Sequence, residues 1–319
     1  MLATPDPQTA AFRQDVLDGL SAPVPAIPAR WLYDQRGSEL FDEITRLPEY
    51  YPTRTETALL ERHSAEVAAI AGERQVVVEL GAGSATKTPI LLRAIDPAAY
   101  VPIDIAGDYL KASVESLRPL FPALPILPLE GDFMRSIRLP DGLPAGPRLG
   151  FFPGSTIGNM VPATAVDLLR SFREALGNGC WLLIGMDRRK DVDTLLRAYD
   201  DSAGITAAFN LNLLHRMNAE LDACIDISAF RHKAVWNDLK SRVEMHLEAL
   251  RDLSFCVAGR TFSFAAGETI HTENSHKYGL RDSRLLLEAA GWRPHREWVD
   301  QEGNFALIIA HAEAPRIAP

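Results

Sequence analysis

Near the end of the chain, ETIHTENSHKY (Glu268–Tyr278) gathers two histidines, two glutamates, a serine and a lysine between apolar segments. Such a set can ligate a metal, sit in solvent or line a pocket. For a metal, His271, His276 and Glu273 lack the i, i+4 pairing of a helical site, and no distant third ligand stands out, so no metal is expected. A second set lies in VVVELGAGSATKT, where Gly81 and Gly83 mark a strand-to-helix turn. Backbone amides at such a turn can be approached closely by a ligand. The dinucleotide pattern G-x-G-x-x-G fails, because Thr86 stands where its third glycine would be. Two acids follow at strand ends. Asp104 in YVPID is placed to accept from ribose hydroxyls, and Asp132 in EGDF from an adenine amino group, with Phe133 packed on the ring. Glu79 suits a cationic ligand better than a pyrophosphate. A third set is FFPGSTIGN, residues 151–159, where Gly154 permits close backbone approach and Thr156 and Asn159 offer neutral hydrogen-bonding groups.

These residues need a scaffold. QVVVELGAG is a β-branched run ending in glycines, as in a buried parallel strand. KTPILLRAI, AYVPID, DYLKASVESLRPLF, PILPLEGDF, RLGFFPGST, PATAVDLLRSFREALGNG and CWLLIGMD then alternate helix-like and strand-like segments, which predicts a doubly wound parallel sheet. ETALLERHSAEVAAIAG ahead of it has helical spacing. After Asp187 the alternation stops. DVDTLLRAYDD and ITAAFNLNLLHRMNAEL read as helices, and Ala229 to Ala265 as an antiparallel meander. DSRLLLEAAGWRPHREWVDQEGNFALIIAHAE reads as a helix and an antiparallel edge hairpin returning to the sheet. The expected organisation is therefore a Rossmann-like domain, 55–190 and 277–319, and a second α+β domain, 1–54 and 191–276, for the substrate.

Composition narrows the partners. A net charge of −9 over 319 residues argues against a nucleic-acid binder, which needs a clustered basic face. Cys180, Cys224 and Cys256 are odd in number and far apart, so neither a disulfide framework nor a zinc spacing follows. The stretch MLATPDPQTAAFRQDV lacks a basic start and an apolar run. A cytoplasmic protein acting on a small molecule, as a monomer or weak dimer without membrane or nucleic-acid partners, is the expectation.

Carboxylates around a glycine turn fit S-adenosylmethionine, which carries a sulfonium and an ammonium. The cofactor half thus resembles a class I S-adenosylmethionine-dependent methyltransferase. The resemblance becomes specific through RWLYDQRGSELFDEITRLPEYYPTRTE, VELGAGSATKT, PGSTIGN, RAYDDSAGITAAFN and TENSHKY. Together, over nearly the whole chain, these resemble the histidine Nα-methyltransferase family of ergothioneine biosynthesis, whose members trimethylate the α-amine of L-histidine to hercynine. The resemblance implies cofactor contacts from Gly81, Lys87, Asp104, Asp132 and Phe133. It implies that Tyr33, Tyr50, Asn159 and Tyr199 surround the α-amine and carboxylate, that Met245 forms a pocket wall, and that Glu273 and Ser275 hold the imidazole. Tyr33 and Asn159 are the candidates for assisting transfer.

The chemistry is consistent with those roles. Methyl transfer from a sulfonium is an in-line displacement that needs a free amine lone pair, and a neighbouring positive charge disfavours the ammonium form. Tyrosine faces can accommodate a trimethylammonium. Two alternatives remain open at this stage. One is another aromatic or thiohistidine-type amino acid as acceptor. The other is a non-catalytic S-adenosylmethionine-binding protein, against which the intact acids Asp104 and Asp132 argue.

Overall fold

The computed structural model describes residues 7–135 and 137–312. The first six residues of the N-terminal stretch read above, and the outer ends of both expected domains, lie outside the described residues. The chain forms two compact units, Met1–Tyr50 with Asp191–Ser275 and Tyr51–Lys190 with His276–Pro319.

The first unit begins with helix α1 (Pro7–Ser21) and α2 (Gln35–Ile44). Asp34 caps α2 by accepting from the Gly37 amide at 2.7 Å. Gly37 cannot be replaced there, because a Cβ would lie 1.7 Å from the Leu32 carbonyl oxygen.

The second unit opens with α3 (Tyr51–Ala71), then alternates β1 (Val76–Leu80), α4 (Thr88–Ile95), β2 (Ala99–Asp104), α5 (Gly107–Leu117), β3 (Leu129–Glu130), β4 (Arg148–Phe152), α6 (Pro162–Leu176) and β5 (Trp181–Asp187). The expected third strand is the shortest, a two-residue edge strand pairing Ile103 and Asp104 with Leu129 and Glu130.

The chain then re-enters the first unit through α7 (Val192–Tyr199) and α8 (Ile205–Glu220), followed by β6 (Phe230–Asn237), β7 (Arg242–Ala249), β8 (Leu253–Val257), β9 (Arg260–Phe264) and β10 (Thr269–His276). The expected antiparallel strands are present but divide between two small sheets: β8 pairs with β9 alone, whereas β6 and β7 take β10 as their third strand. The polar segment TENS thus lies within a strand. Ala26 adds a bridge to His271 on the outer side of β10.

Finally α9 (Leu280–Ala289), β11 (Trp292–Val299) and β12 (Phe305–Ala312) return to the large sheet. Its order is β11-β12-β5-β4-β1-β2-β3. β1 pairs in parallel with β2 and β4, and β12 runs antiparallel to both β5 and β11. The terminal hairpin lies where the sequence places it. This seven-stranded, mostly parallel sheet is the class I methyltransferase architecture.

Strand alternation divides the apolar side chains between two cores. Val76, Val78, Leu80, Leu182, Ile184 and Ile308 join α6 and α9 on one face. Val77, Leu183, Leu307 and Ile309 join α3, α4 and α5 on the other. Burying each such side chain contributes roughly 1.5–3 kcal/mol, so the carboxyl ends of β1, β2 and β4 rest on a rigid base. No helix among the described residues is long and apolar enough to cross a membrane.

Candidate active site

In the second unit, the turn after β1 carries Gly81 and Gly83 at φ +65° and +50°, backbone that side chains rarely adopt. The Gly81 amide donates to the Ile103 carbonyl at 2.9 Å. Asp104, at the end of β2, fixes the same turn. Its Oδ2 accepts from the Gly83 amide at 2.9 Å and its Oδ1 from the Ala106 amide at 3.0 Å. Burial raises its pKa, and those two amides oppose the shift. Each oxygen keeps a second lone pair for a hydroxyl donor. A Cβ at Gly81 would sit 3.9 Å from the Phe133 ring and 4.0 Å from the Thr156 methyl. Gly81, Phe133 and Thr156 therefore bound one small space. Phe133 packs edge-on against Phe152, 5.9 Å between centroids. Asp132 accepts from the Met134 amide at 2.9 Å.

One expectation changes. Glu79 does not line the turn. Strand alternation sends it with Val77 to the helix-covered face, 1% exposed, where it accepts from Tyr100 Oη at 2.6 Å and Thr88 Oγ1 at 2.8 Å. Burial pushes its carboxyl up to about 7 against those hydrogen bonds. Lys87 pairs with the fully buried Glu56, which also accepts from the Gly154 amide at 2.9 Å. The Gly154 N–H and the Thr156 hydroxyl, which donates to the Pro153 carbonyl at 3.1 Å, are thus used to hold the loop. Asn159 closes the short 3-10 turn Thr156–Asn159. His276 fastens that turn through Nδ1, 2.8 Å from the Gly158 carbonyl. A Cβ on Gly158 would approach the His276 carbonyl oxygen to 2.9 Å, so glycine is needed there.

Sequence reasoning missed a buried charge cluster here. Asp187 ends β5 and takes Tyr51 Oη at 2.7 Å, Lys277 Nζ at 2.7 Å and Lys190 Nζ. Its backbone amide donates to Ser155 Oγ at 2.9 Å, which holds Ser155 at φ +58°. Burial opposes the Asp187 charge, yet Lys277 and Lys190 hold its carboxyl below the usual range. Burial brings Lys190 down to about 8, partly offset by Asp187. The available signal was an acid at a strand end, the same one that singled out Asp104. Glu56 and Lys277 also lay in plain view, within YYPTRTE and TENSHKY.

The first unit brings together most of the expected amino-acid residues. The segment before α2 is pinned by α8: Arg216 donates to the Trp31 carbonyl at 3.0 Å and Asn212 to Asp34 at 2.8 Å. That fixes Tyr33, whose hydroxyl donates to Glu273 Oε1 at 3.1 Å. Two positions along β10, the Ser275 hydroxyl meets Tyr199 Oη at 2.6 Å. The rings form a continuous set through Phe41: Tyr33 to Phe41 at 5.7 Å, Phe41 to Tyr50 at 6.2 Å and Tyr50 to Tyr199 at 6.2 Å. Behind them His232 is wedged in place, Nδ1 accepting from Asn210 at 2.9 Å and Nε2–H donating to the Tyr199 carbonyl at 2.8 Å. Met245 is buried on β7, and its carbonyl lies 3.0 Å from the Thr272 hydroxyl of β10.

Burial, then the Glu273 charge, raise the Tyr33 pKa well above that of a free phenol. Its hydroxyl hydrogen is directed at Glu273. The histidines of the polar segment part ways. His276 belongs to the loop of the second unit, whereas His271 joins Glu244 and His246 as a group that could hold a metal ion. Its companions Glu244 and His246 come from the neighbouring strand β7, beyond the reach of sequence spacing.

A glycine turn fixed by a strand-end acid, on a sheet of this order, defines a class I S-adenosylmethionine-dependent methyltransferase. Residues 12–312 match the family described as histidine-specific methyltransferase, SAM-dependent. The chain is 42% identical to a histidine N-alpha-methyltransferase of Mycolicibacterium smegmatis, covering 96% of each chain. It is 40% identical to a histidine N-alpha-methyltransferase of Mycobacterium tuberculosis, covering 94% of each. An ergothioneine biosynthesis protein 1 of Neurospora crassa is 28% identical, with 85% of this chain matching 32% of that protein. The chain belongs to the histidine-specific, S-adenosylmethionine-dependent methyltransferase family.

Proposed function

We propose that the protein transfers methyl groups from S-adenosylmethionine to the α-amine of L-histidine, forming hercynine for ergothioneine biosynthesis. The observation that carries this reading is the paired hydrogen bonding on β10, Tyr33 to Glu273 and Tyr199 to Ser275. A buried carboxylate is costly without a polar partner. An imidazole supplies an N–H for Glu273 and a ring nitrogen for the Ser275 hydroxyl, whereas a phenyl ring supplies neither. The histidine N-alpha-methyltransferases named above support the same substrate.

The residues of the second unit fit the cofactor by the chemistry of their donors. Asp104 takes the ribose hydroxyls, Asp132 the adenine amino group, and Phe133 packs on the base. Gly81 leaves the turn open to the amino-acid portion, and Lys87, anchored by Glu56, positions the adjoining loop. S-adenosylmethionine supplies the electrophilic methyl group. Asn159 accepts a hydrogen bond from the substrate amine, with Gly154 and Thr156 shaping the loop that carries it. Tyr50 and Tyr199 present hydroxyls to the α-amino and carboxylate groups, and Met245 walls the pocket. Tyr33 positions Glu273. The tyrosine faces accommodate the growing trimethylammonium. Orientation supplies much of the rate. The free cysteines Cys180, Cys224 and Cys256 support a reducing, cytoplasmic setting.

Calorimetry in the presence of S-adenosylhomocysteine tests the pocket assignment. Histidine is expected to bind saturably, and tryptophan and phenylalanine far more weakly. Equal binding of all three would sink the assignment of Glu273 and Ser275.

A further inference from the structure

The β7–β10 pair carries a second cluster that the histidine reading does not use. Glu244 and His246 on β7 and His271 on β10 each offer one ligand atom, and these atoms lie within 4.8 Å of one another. The two imidazole rings stack, 4.8 Å between centroids and 19° between planes. His246 Nε2 lies 3.4 Å from Glu244 Oε2.

Each of the three is also anchored through another polar atom. His271 Nε2 sits 3.0 Å from the Glu273 carbonyl, and His246 Nδ1 sits 3.2 Å from Thr269 Oγ1. Glu244 Oε1 accepts from Arg242 Nε at 2.7 Å and from Asn237 Nδ2 at 3.0 Å. A carbonyl or hydroxyl on the remote nitrogen is how metal-binding imidazoles are oriented and their tautomer fixed. With Nε2 protonated toward Glu273, the lone pair of His271 lies on Nδ1.

We propose that Glu244, His246 and His271 bind a zinc-class divalent transition-metal ion, at a site separate from the residues assigned to histidine and cofactor. Two imidazoles and one carboxylate form a zinc donor set that leaves a fourth position for solvent. Ligands about 2.0–2.2 Å from a tetrahedral ion lie roughly 3.3–3.6 Å apart, so side-chain rotations of about an ångström close the site. Arg242 offsets much of the Glu244 charge. Binding then depends on imidazole donation, which favours zinc, copper, nickel and cobalt over magnesium and calcium.

Chelator-treated full-length protein titrated with zinc chloride tests this proposal. One ion per chain is expected, with no heat from magnesium chloride. His246→Ala and His271→Ala should each weaken zinc binding tenfold or more, while His276→Ala, outside the cluster, binds zinc as the unsubstituted chain does. On the unsubstituted chain, cobalt(II) should give the intense visible absorption of a four-coordinate ion and paramagnetically shifted proton signals from two imidazoles, a reading independent of how any variant folds. Lack of saturable zinc binding, affinity unchanged in both His246→Ala and His271→Ala, or absence of the shifted imidazole signals would overturn it.

Discussion

The candidate cofactor residues of the second unit and the tyrosine cluster of the first treat charge differently. In the second, charged side chains are matched within the fold: Asp187 by two lysines and Tyr51, Glu56 by Lys87 and a backbone amide, Asp104 by two amides. In the first, the expected substrate residues form a series of aromatic faces and neutral hydroxyls that meets Glu273 through Tyr33 and Ser275 through Tyr199. The contrast suits the two tasks. A cationic cofactor calls for acids held rigidly, and an amine that must react as a free base calls for surroundings that do not stabilise its ammonium form. Paired charge surrounds the glycine turn and its loop, and neutral hydroxyls predominate in the tyrosine cluster.

Substitutions on each side of that contrast have distinct expected effects. The largest effect is expected at Asp187→Ala, which leaves Lys190 and Lys277 without their shared buried carboxylate. Removing one partner of a buried pair costs about 3–5 kcal/mol, read as a lowered denaturant midpoint. An unchanged midpoint would show that the cluster contributes no stability.

Next comes Glu79, whose folded pKa lies at about 7 against an ordinary 4.5. A carboxyl with a raised pKa holds its proton more tightly when folded. Its stabilisation is therefore full below about pH 4.5 and lost by about pH 7. At most roughly 3 kcal/mol follows from a shift of that size. Glu79→Gln should gain stability relative to the unsubstituted chain as pH rises through that window. Parallel pH profiles would place the Glu79 titration elsewhere.

Glu273→Ala removes hydrogen bonds to a charged group, about 1.5–3 kcal/mol or roughly 10- to 100-fold in histidine affinity, while cofactor binding stays constant. Equal loss of both ligands would contradict the division of labour between the units. Tyr199→Phe should cost about 1 kcal/mol, roughly fivefold in the histidine KM. A matching fall in kcat with KM unchanged would give its hydroxyl a role in transfer itself.

Much of the fold was legible because its determinants are local. Alternating β-branched strands and amphipathic helices declare a parallel sheet, and DSRLLLEAAGW followed by two apolar strands declares the closing hairpin. Within the site, the tyrosines were found through motifs, but their meeting through Phe41 depends on tertiary packing that no spacing encodes. Glu79 shows the limit from the other side. Its position in the turn motif suggested a ligand, while strand alternation, equally readable, points it into the core with Val77. Asp187 carried the same strand-end signature as Asp104 but was passed over because its lysines are distant or lie beyond the strand. His271 was judged by neighbours in sequence, whereas its companions Glu244 and His246 come from the adjacent strand.

The acceptor assigned to the protein is the α-amine of histidine. Incubating the protein with S-adenosylmethionine and a panel of amino acids, and following product masses, tests it most directly. Successive gains of one, two and three methyl groups on histidine are expected, with fragmentation placing all three on the α-nitrogen. Methylation of tryptophan or another amino acid with none on histidine, or methyl groups on the imidazole ring, would contradict it.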